Sequence, residues 1–96
     1  MAKIVGGIEL NVTTDLTKLP QKAASALSLI EDKERVGASF KGLIYVGKQV
    51  VRGVNHWFIA EETLMTANMD KHIVTIAVNE YEGKYEIVKS SIIDIF

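Results

Sequence analysis

The feature that most constrains the fold is a change of hydrophobic pattern at Gly37. Beyond it, four segments are rich in the β-branched and aromatic residues that favour strands: 40–51, 54–60, 72–81 and 85–96. Hairpin turns are predicted at Arg52-Gly53 and at residues 82–84, with a longer link at residues 61–70 between them. Consecutive strands joined in this way predict an antiparallel meander.

Before Gly37 the chain has the pattern of a helix. Good helix formers occupy residues 15–35, Pro20 is tolerated in a first helical turn, and Gly37 is a usual helix stop. An apolar stripe recurs at helical spacing, made of Ala23, Ala26, Leu27 and Ile30. The other face is polar, with Gln21, Lys22, Ser25, Ser28, Glu31 and Asp32. The expected fold class is therefore α+β, with one α-helix lying across an antiparallel β-sheet.

Length, charge and cysteine content exclude several classes of protein. The 96 residues predict one domain, residues 1–96, because two cores would each be marginal at this length. With 11 basic and 12 acidic residues, the net charge of -1 gives no reason to expect nucleic acid or an anionic membrane as partner. The chain contains no cysteine and no apparent export signal or membrane span, so we expect a cytoplasmic protein without disulfides.

The residues that usually carry catalysis or metal binding are few. His56 and His72 fall within predicted strands, at no spacing from Ser, Asp or Glu that matches a nucleophile and its base, and we interpret them as strand surface positions. Glu61 and Glu62 are interpreted as the solvated start of the link. The sequence therefore predicts no enzyme, no metal site and no cofactor.

Two other segments have the pattern of contact surfaces. Near the first turn, Val50 and Val51 stand where turn chemistry prefers Asn, Asp, Ser or Pro, which favours contact with a partner. The alternative is a buried strand with a bulge at Gly53. At the N-terminus, an apolar pair precedes the glycine pair at residues 6–7, which predicts a flexible arm over residues 1–8.

Residues 49–53, Gln-Val-Val-Arg-Gly, resemble the Gln-x-Val-x-Gly motif in the first binding hairpin of the cystatin superfamily. Residues 55–58, Asn-His-Trp-Phe, are similar to the Asn and aromatic residues that follow it in that family. The order of a glycine pair, a helix, a strand, the motif and two further strands extends the resemblance over nearly all of the chain. Absence of cysteine and of an export signal is similar to the stefin, or type 1, branch.

This resemblance implies the cystatin fold, an antiparallel sheet of five strands wrapped around one helix, with a first strand near residues 9–12. It implies a reversible, tight-binding inhibitor of papain-like cysteine proteases that blocks the active-site cleft with an N-terminal arm and two hairpins. The implied protease contacts are Ile4, Val5, Gly6 and Gly7 in the arm, Gln49, Val50, Val51, Arg52 and Gly53 in the first hairpin, and Asn79, Glu80 and Tyr81 in the second.

One part of the chain departs from the family pattern. The second hairpin lacks the Leu-Pro of stefins and the Pro-Trp of secreted cystatins, and Tyr81 is the candidate for the missing apolar contact. Alternatives are a cystatin-fold scaffold or binding module, natural or engineered, that recognises a different protein, and a small enzyme or ligand-binding domain of another α+β fold. We expect a monomer, with a domain-swapped dimer accessible if Val51 is strained at the first turn.

Overall fold

The computed structural model describes residues 3–5, 7–32, 37–65, 68 and 70–93. In chain order, the described elements are strands β1 (Lys3–Val5) and β2 (Ile8–Thr13), a 3₁₀ turn (Leu16–Lys18), helix α1 (Gln21–Ile30), and strands β3 (Ala38–Val51), β4 (Gly53–Leu64), β5 (Lys71–Tyr81) and β6 (Lys84–Ile92). The strands form one sheet in sequence order, and every neighbouring pair is antiparallel. One helix packed on an antiparallel sheet confirms the predicted α+β class.

Helix α1 is shorter than the helical segment predicted from the sequence. Leu19 is extended, with φ -73° and ψ 150°, because a residue that precedes proline avoids the helical region. This separates α1 from a 3₁₀ turn, in which Asp15 accepts a hydrogen bond from the Thr17 backbone N–H at 3.1 Å. At the other end α1 stops at Ile30, and residues 33–35 of the predicted helix lie outside the described part of the chain.

The helix contacts the sheet through the stripe that its spacing predicts. Ala23, Ala26 and Ile30 are fully buried, and Leu27 packs beside them. The predicted polar positions of the helix and of the turn after it are all exposed. From the sheet, the buried core receives Tyr45, Phe58, Ala60, Val74, Ile76 and Val78. Burial of a side chain as large as Phe58 stabilises the fold by roughly 1.5 to 3 kcal/mol.

Strand β4 continues through half of the predicted link. Glu61 and Glu62 belong to β4, so their interpretation as the start of a loop is wrong. Both residues have cross-strand partners in β3 and β5, and Glu61 forms an ion pair with Lys71 at 3.7 Å. Pairing on both sides therefore overrides the weak strand preference of glutamate.

The N-terminal segment also differs from the prediction. Instead of a free arm, Lys3–Val5 form β1, paired with β2 so that Val5 lies opposite Ile8. Two β-branched residues followed by a glycine pair suit a tight hairpin as well as a flexible joint. The adjoining strand, Ile8–Thr13, contains the residues 9–12 that the cystatin resemblance implied as a strand. No helix in the described part of the chain is long and apolar enough to cross a membrane.

Candidate functional site

Three chain reversals lie side by side along one edge of the sheet. They are the β1–β2 turn at Gly7, the β3–β4 turn at residues 51–53 and the β5–β6 turn at residues 82–83. We call this edge the turn edge, and the last two reversals the first and second hairpins. Because successive antiparallel strands reverse direction, alternate turns of a meander must fall on the same edge.

A row of cross-strand partners sets the alignment of the three turns. Ile8 of β2 lies opposite Gln49, Gln49 opposite Asn55, and Asn55 opposite Asn79. The N-terminal turn is in contact with this row, since a Cβ added to Gly7 would lie 3.3 Å from Nε2 of Gln49. The implied contact segments are therefore neighbours, although Gly6 itself lies outside the described residues.

The tip of the first hairpin is apolar and exposed. Val50 is 75% exposed and Val51 is 46% exposed, although both are paired with β4. This excludes the alternative of a buried strand, and the pairing of Val51 with Gly53 is regular. Arg52 lies at the apex between them. The tip thus offers two adjacent apolar side chains to a partner.

The first hairpin approaches β5 closely at Gly53. Its φ is +83°, and an added Cβ would lie 2.3 Å from the Glu80 carbonyl oxygen, so glycine is required there for both reasons. Among the described residues other than glycine, positive φ occurs at Glu82 and not at Val51. We expected backbone strain at Val51 as a cause of domain swapping, but the φ of Val51 is not positive and shows no such strain.

Side-chain amides connect the strands behind the tips on the face opposite α1. Oε1 of Gln49 accepts hydrogen bonds from Asn55 Nδ2 at 3.4 Å and from Trp57 Nε1 at 3.2 Å. Asn79 Nδ2 donates to Asn55 Oδ1 and to the Arg52 carbonyl oxygen, each at 3.0 Å. Three strands are thus joined to the apex of the first hairpin. We call this set of bonds the amide ladder.

Glu80 does not occupy the exposed position that a protease contact requires. It is 5% exposed and faces α1, where Oε1 accepts from Lys22 Nζ at 3.0 Å. Its other oxygen, Oε2, accepts from the backbone N–H of Gly83 at 3.0 Å. These two donors, the Gly83 N–H first and Lys22 second, lower the pKa of the Glu80 carboxyl. Glu80 therefore supports the second hairpin from inside.

Tyr81 and Arg52 join the two hairpin tips. The Arg52 guanidinium carbon lies 5.3 Å from the centre of the Tyr81 ring, within the range of a cation–π contact. Tyr81 is 39% exposed, so the ring contacts Arg52 and still has free surface. Aromatic surface thus stands beside the apolar tip, in a hairpin that contains neither Leu-Pro nor Pro-Trp.

No family model, curated protein or solved structure matches this chain. The likeness to cystatins therefore rests on two observations. One is the motif at residues 49–53, and the other is the position of this motif between two neighbouring turns on the turn edge.

A cavity of about 680 Å³ lies behind the turn edge, between the start of α1 and the sheet. It is lined by Glu9, Leu10, Asn11, Pro20, Gln21, Lys22, Tyr45, Lys48, Val54 and His56. In its wall, His56 Nδ1 lies 3.3 Å from the Tyr45 hydroxyl, and His56 Nε2 has no hydrogen-bond partner among the described residues. Burial lowers the pKa of His56 and raises that of Tyr45.

The interpretation of His56 as a strand surface residue is wrong, because it is 5% exposed and faces the helix. Alternation along β4 places it on the same side as the fully buried Phe58. Among the described residues, no three His, Cys, Asp or Glu side chains are grouped so that they could hold a metal ion. The exposed apolar side chains of the first hairpin tip are suited to contact with a protein.

Proposed function

We propose that this chain is a reversible, tight-binding inhibitor of papain-like cysteine proteases, with a cystatin fold of the stefin type. The observation that carries the proposal is the turn edge, where exposed Val50 and Val51 lie in a Gln-x-Val-x-Gly hairpin flanked by two other turns. We propose that this row of turns acts as a wedge that enters the active-site cleft of a papain-like protease. The absence of cysteine agrees with action in the cytosol.

Inhibition would be by blocking the cleft. Full enclosure of Val50 and Val51 would contribute roughly 1.5 to 3 kcal/mol for each side chain. The amide ladder holds the first hairpin in one arrangement before binding, so little conformational entropy is lost when it docks. No backbone carbonyl of the wedge has to meet the catalytic thiolate, so the inhibitor would resist cleavage.

The N-terminal segment is proposed to contact the non-primed side of the cleft. Residues 4, 5 and 7 lie at one end of the turn edge and the second hairpin lies at the other. This order, with the first hairpin in the middle, is the order of the three contacts in cystatins. A domain-swapped dimer would open the first hairpin into a continuous strand, so the proposed inhibitory form is the monomer.

A titration with two forms of papain tests the proposal. One form is active, and in the other the catalytic thiol is blocked by carboxymethylation. We expect the chain to inhibit the first and to bind both, because occlusion does not use the thiolate. Binding that needs the free thiol, or no binding to either form, would overturn the mechanism.

Two matched variants locate the site. Val51→Asp should weaken inhibition by roughly a hundredfold or more, because a carboxylate would be desolvated in an apolar cleft without a partner. Val88→Asp is the control, since Val88 in the middle of β6 is also 46% exposed but lies away from the turn edge. Equal loss in both variants, with both folded, would remove the assignment to the first hairpin.

A binding module of the same fold that recognises a different protein is the second candidate. The charged second hairpin, with exposed Glu82 and Lys84 in place of Leu-Pro, favours it. The papain titration separates the two candidates. A folded monomer that binds neither form of papain would leave the turn edge as a surface for another partner.

A further inference from the structure

Arg52 occupies the position of the first hairpin that enters a partner first. It lies between Val51 and Gly53 at the apex, where its carbonyl oxygen accepts a hydrogen bond from Asn79 at 3.0 Å. Its guanidinium carbon lies 5.3 Å from the centre of the Tyr81 ring. The Arg52 backbone is therefore held by a hydrogen bond, and its positive charge lies between the two hairpin tips, in contact with the Tyr81 ring.

The charge of Arg52 has no carboxylate partner in the described part of the chain. The ion pairs found there join Lys18 to Asp15, Lys22 to Glu80 and Lys71 to Glu61. In the second hairpin the exposed side chains of Glu82 and Lys84 carry opposite charges. The exposed hairpin tips, residues 50–52 and 81–84, therefore present one positive charge in excess, at the apex.

A guanidinium that lies over an aromatic ring can still bind a carboxylate. The ring contacts one side of the group, and the N–H donors that face away from the ring can form two parallel hydrogen bonds to a carboxylate. Such bidentate contacts are stronger than neutral hydrogen bonds and demand a defined geometry. Because Arg52 is already oriented by Tyr81, less side-chain entropy is lost when a carboxylate binds.

The same charge would oppose binding to an unsuitable partner. When Val51 enters an apolar cleft, the adjoining Arg52 is carried to the cleft wall and loses water. A desolvated cation without a partner is costly, and one beside a like charge is costlier still. Arg52 thus discriminates between partners that the apolar contact of the valines alone would treat alike.

We infer that the Arg52–Tyr81 pair makes this chain selective for papain-like proteases whose cleft rim carries a carboxylate opposite the second hairpin. This inference rests on the proposed inhibition of papain-like proteases. It names the class of protease within that function. It concerns Arg52, which occupies a variable position of the Gln-x-Val-x-Gly motif, and Tyr81, which lies outside the motif.

The test compares three papain-like proteases whose cleft rims are acidic, neutral and basic on the side that meets the second hairpin. For wild type and Arg52→Gln, the dissociation constant is measured for each at about 50 mM and about 300 mM salt. We expect Arg52→Gln to weaken the acidic-rim complex by roughly ten- to a hundredfold and to reduce its salt dependence. The neutral-rim complex should tighten slightly, because an unpaired cation is no longer desolvated, and the basic-rim complex should tighten more.

Two variants of Tyr81 and one control separate the contribution of the aromatic ring from an effect on the fold. Tyr81→Phe keeps the aromatic ring and should behave as wild type, whereas Tyr81→Leu should lose part of the preference for the acidic rim. Lys89→Gln is the matched control, because Lys89 Nζ lies 5.8 Å from the centre of the Trp57 ring, a similar contact away from the turn edge. It should leave all three affinities unchanged, and thermal unfolding checks that each variant is folded.

The outcomes separate a failure of the selectivity inference from a failure of the proposed function. If wild type inhibits the proteases but Arg52→Gln changes all three dissociation constants by the same factor, the selectivity inference is overturned and the proposed function stands. If wild type inhibits none of the three, the proposed function fails and the inference fails with it. A preference for the basic rim would also overturn the inference.

Discussion

The two hairpins of the turn edge are neighbours but are stabilised in different ways. The first hairpin exposes Val50 and Val51. It is stabilised by a residue of another strand, because Asn79 of β5 donates a hydrogen bond to the Arg52 carbonyl oxygen. The second exposes charged residues at its turn and is held from inside, through Glu80. Apolar surface is thus free in the first hairpin, and a buried carboxylate anchors the second.

This difference indicates a division of roles. A binding tip needs exposed apolar surface that does not collapse, and the amide ladder supplies the rigidity without covering the valines. The second hairpin contributes Tyr81 and is joined through Glu80 to Lys22 at the start of α1. We therefore expect changes in the first hairpin to alter binding, and changes around Glu80 to alter stability. The glycine at which the hairpins meet should affect both.

The largest expected effect on stability comes from replacing a turn glycine by alanine in each hairpin. Gly53→Ala should destabilise the fold by roughly 2 to 6 kcal/mol, because it adds backbone strain and a clash with the backbone of β5. The clash is between its Cβ and the Glu80 carbonyl oxygen at 2.3 Å. Gly83 also has a positive φ, +78°, but an added Cβ would have no atom within 4 Å. Gly83→Ala should therefore lower the free energy of unfolding by only about 1 to 2 kcal/mol. Urea unfolding of both variants measures the difference.

Both variants replace glycine by alanine at a positive φ. The difference between their free energies of unfolding therefore measures the contact between the hairpins. Gly53→Ala should also weaken protease binding, since the apex must move away from β5. Equal stability of the two variants would mean that the first hairpin can shift freely, and the contrast between the hairpins would lose its structural basis.

A smaller effect is expected when the internal anchor of the second hairpin is neutralised. Glu80→Gln should lower the melting temperature by several degrees at pH 7, because Lys22 loses its charged partner and the Gly83 N–H loses a charged acceptor. The Glu80 pKa is lowered by folding, so its stabilisation is present above the ordinary glutamate range. It is lost as pH falls through the folded-state pKa.

Melting curves at about pH 7 and about pH 2.5 check the sign of this linkage. The gap between wild type and Glu80→Gln should be wide at the higher pH and narrow at the lower one. Glu86→Gln, at an exposed position of β6, is the control and should show no such gap. A gap that stays constant with pH would mean that packing, and not the carboxylate charge, anchors the hairpin.

Local patterns were sufficient to predict most of the fold. Helical spacing identified the buried positions Ala23, Ala26 and Ile30, and strand-forming residues identified β3 to β6. The ends of elements were predicted less accurately where strand pairing determines them. Glu61 and Glu62, for example, belong to β4 because they pair with strands on both sides. Strand β2 was predicted through the cystatin resemblance alone, and β1 was predicted as part of a flexible arm, because these short segments carry no strong strand signal.

The candidate site was only partly accessible from the sequence. The exposed valines followed from turn chemistry, since an apolar residue at a turn has no local reason to be there. The inward direction of Glu80 and His56 depends on the registers of β4 and β5 and on the approach of α1, which no local pattern encodes. The amide ladder has the same origin, because Gln49, Asn55 and Asn79 meet only through strand pairing.

The smallest expected effect concerns the second turn itself. Glu82 and Gly83 have φ of +50° and +78°, so both residues of this two-residue turn are left-handed, as in a type I′ turn. Asparagine tolerates this conformation better than glutamate, so Glu82→Asn should stabilise the fold by about 0.5 to 1 kcal/mol. Glu86→Asn removes the same charge from a strand position and should give no gain, which separates backbone strain from electrostatics.

Protease binding completes the comparison, because Glu82→Asn should change stability without changing the dissociation constant for a neutral-rim papain-like protease by more than about twofold. The turn would then be a support, with contact made by Tyr81 and the first hairpin. A large loss of affinity in the stabilised variant would instead mean that the Glu82 carboxylate touches the protease. In that case the second hairpin binds through its charge, and the division between an apolar binding hairpin and a charged supporting one is wrong.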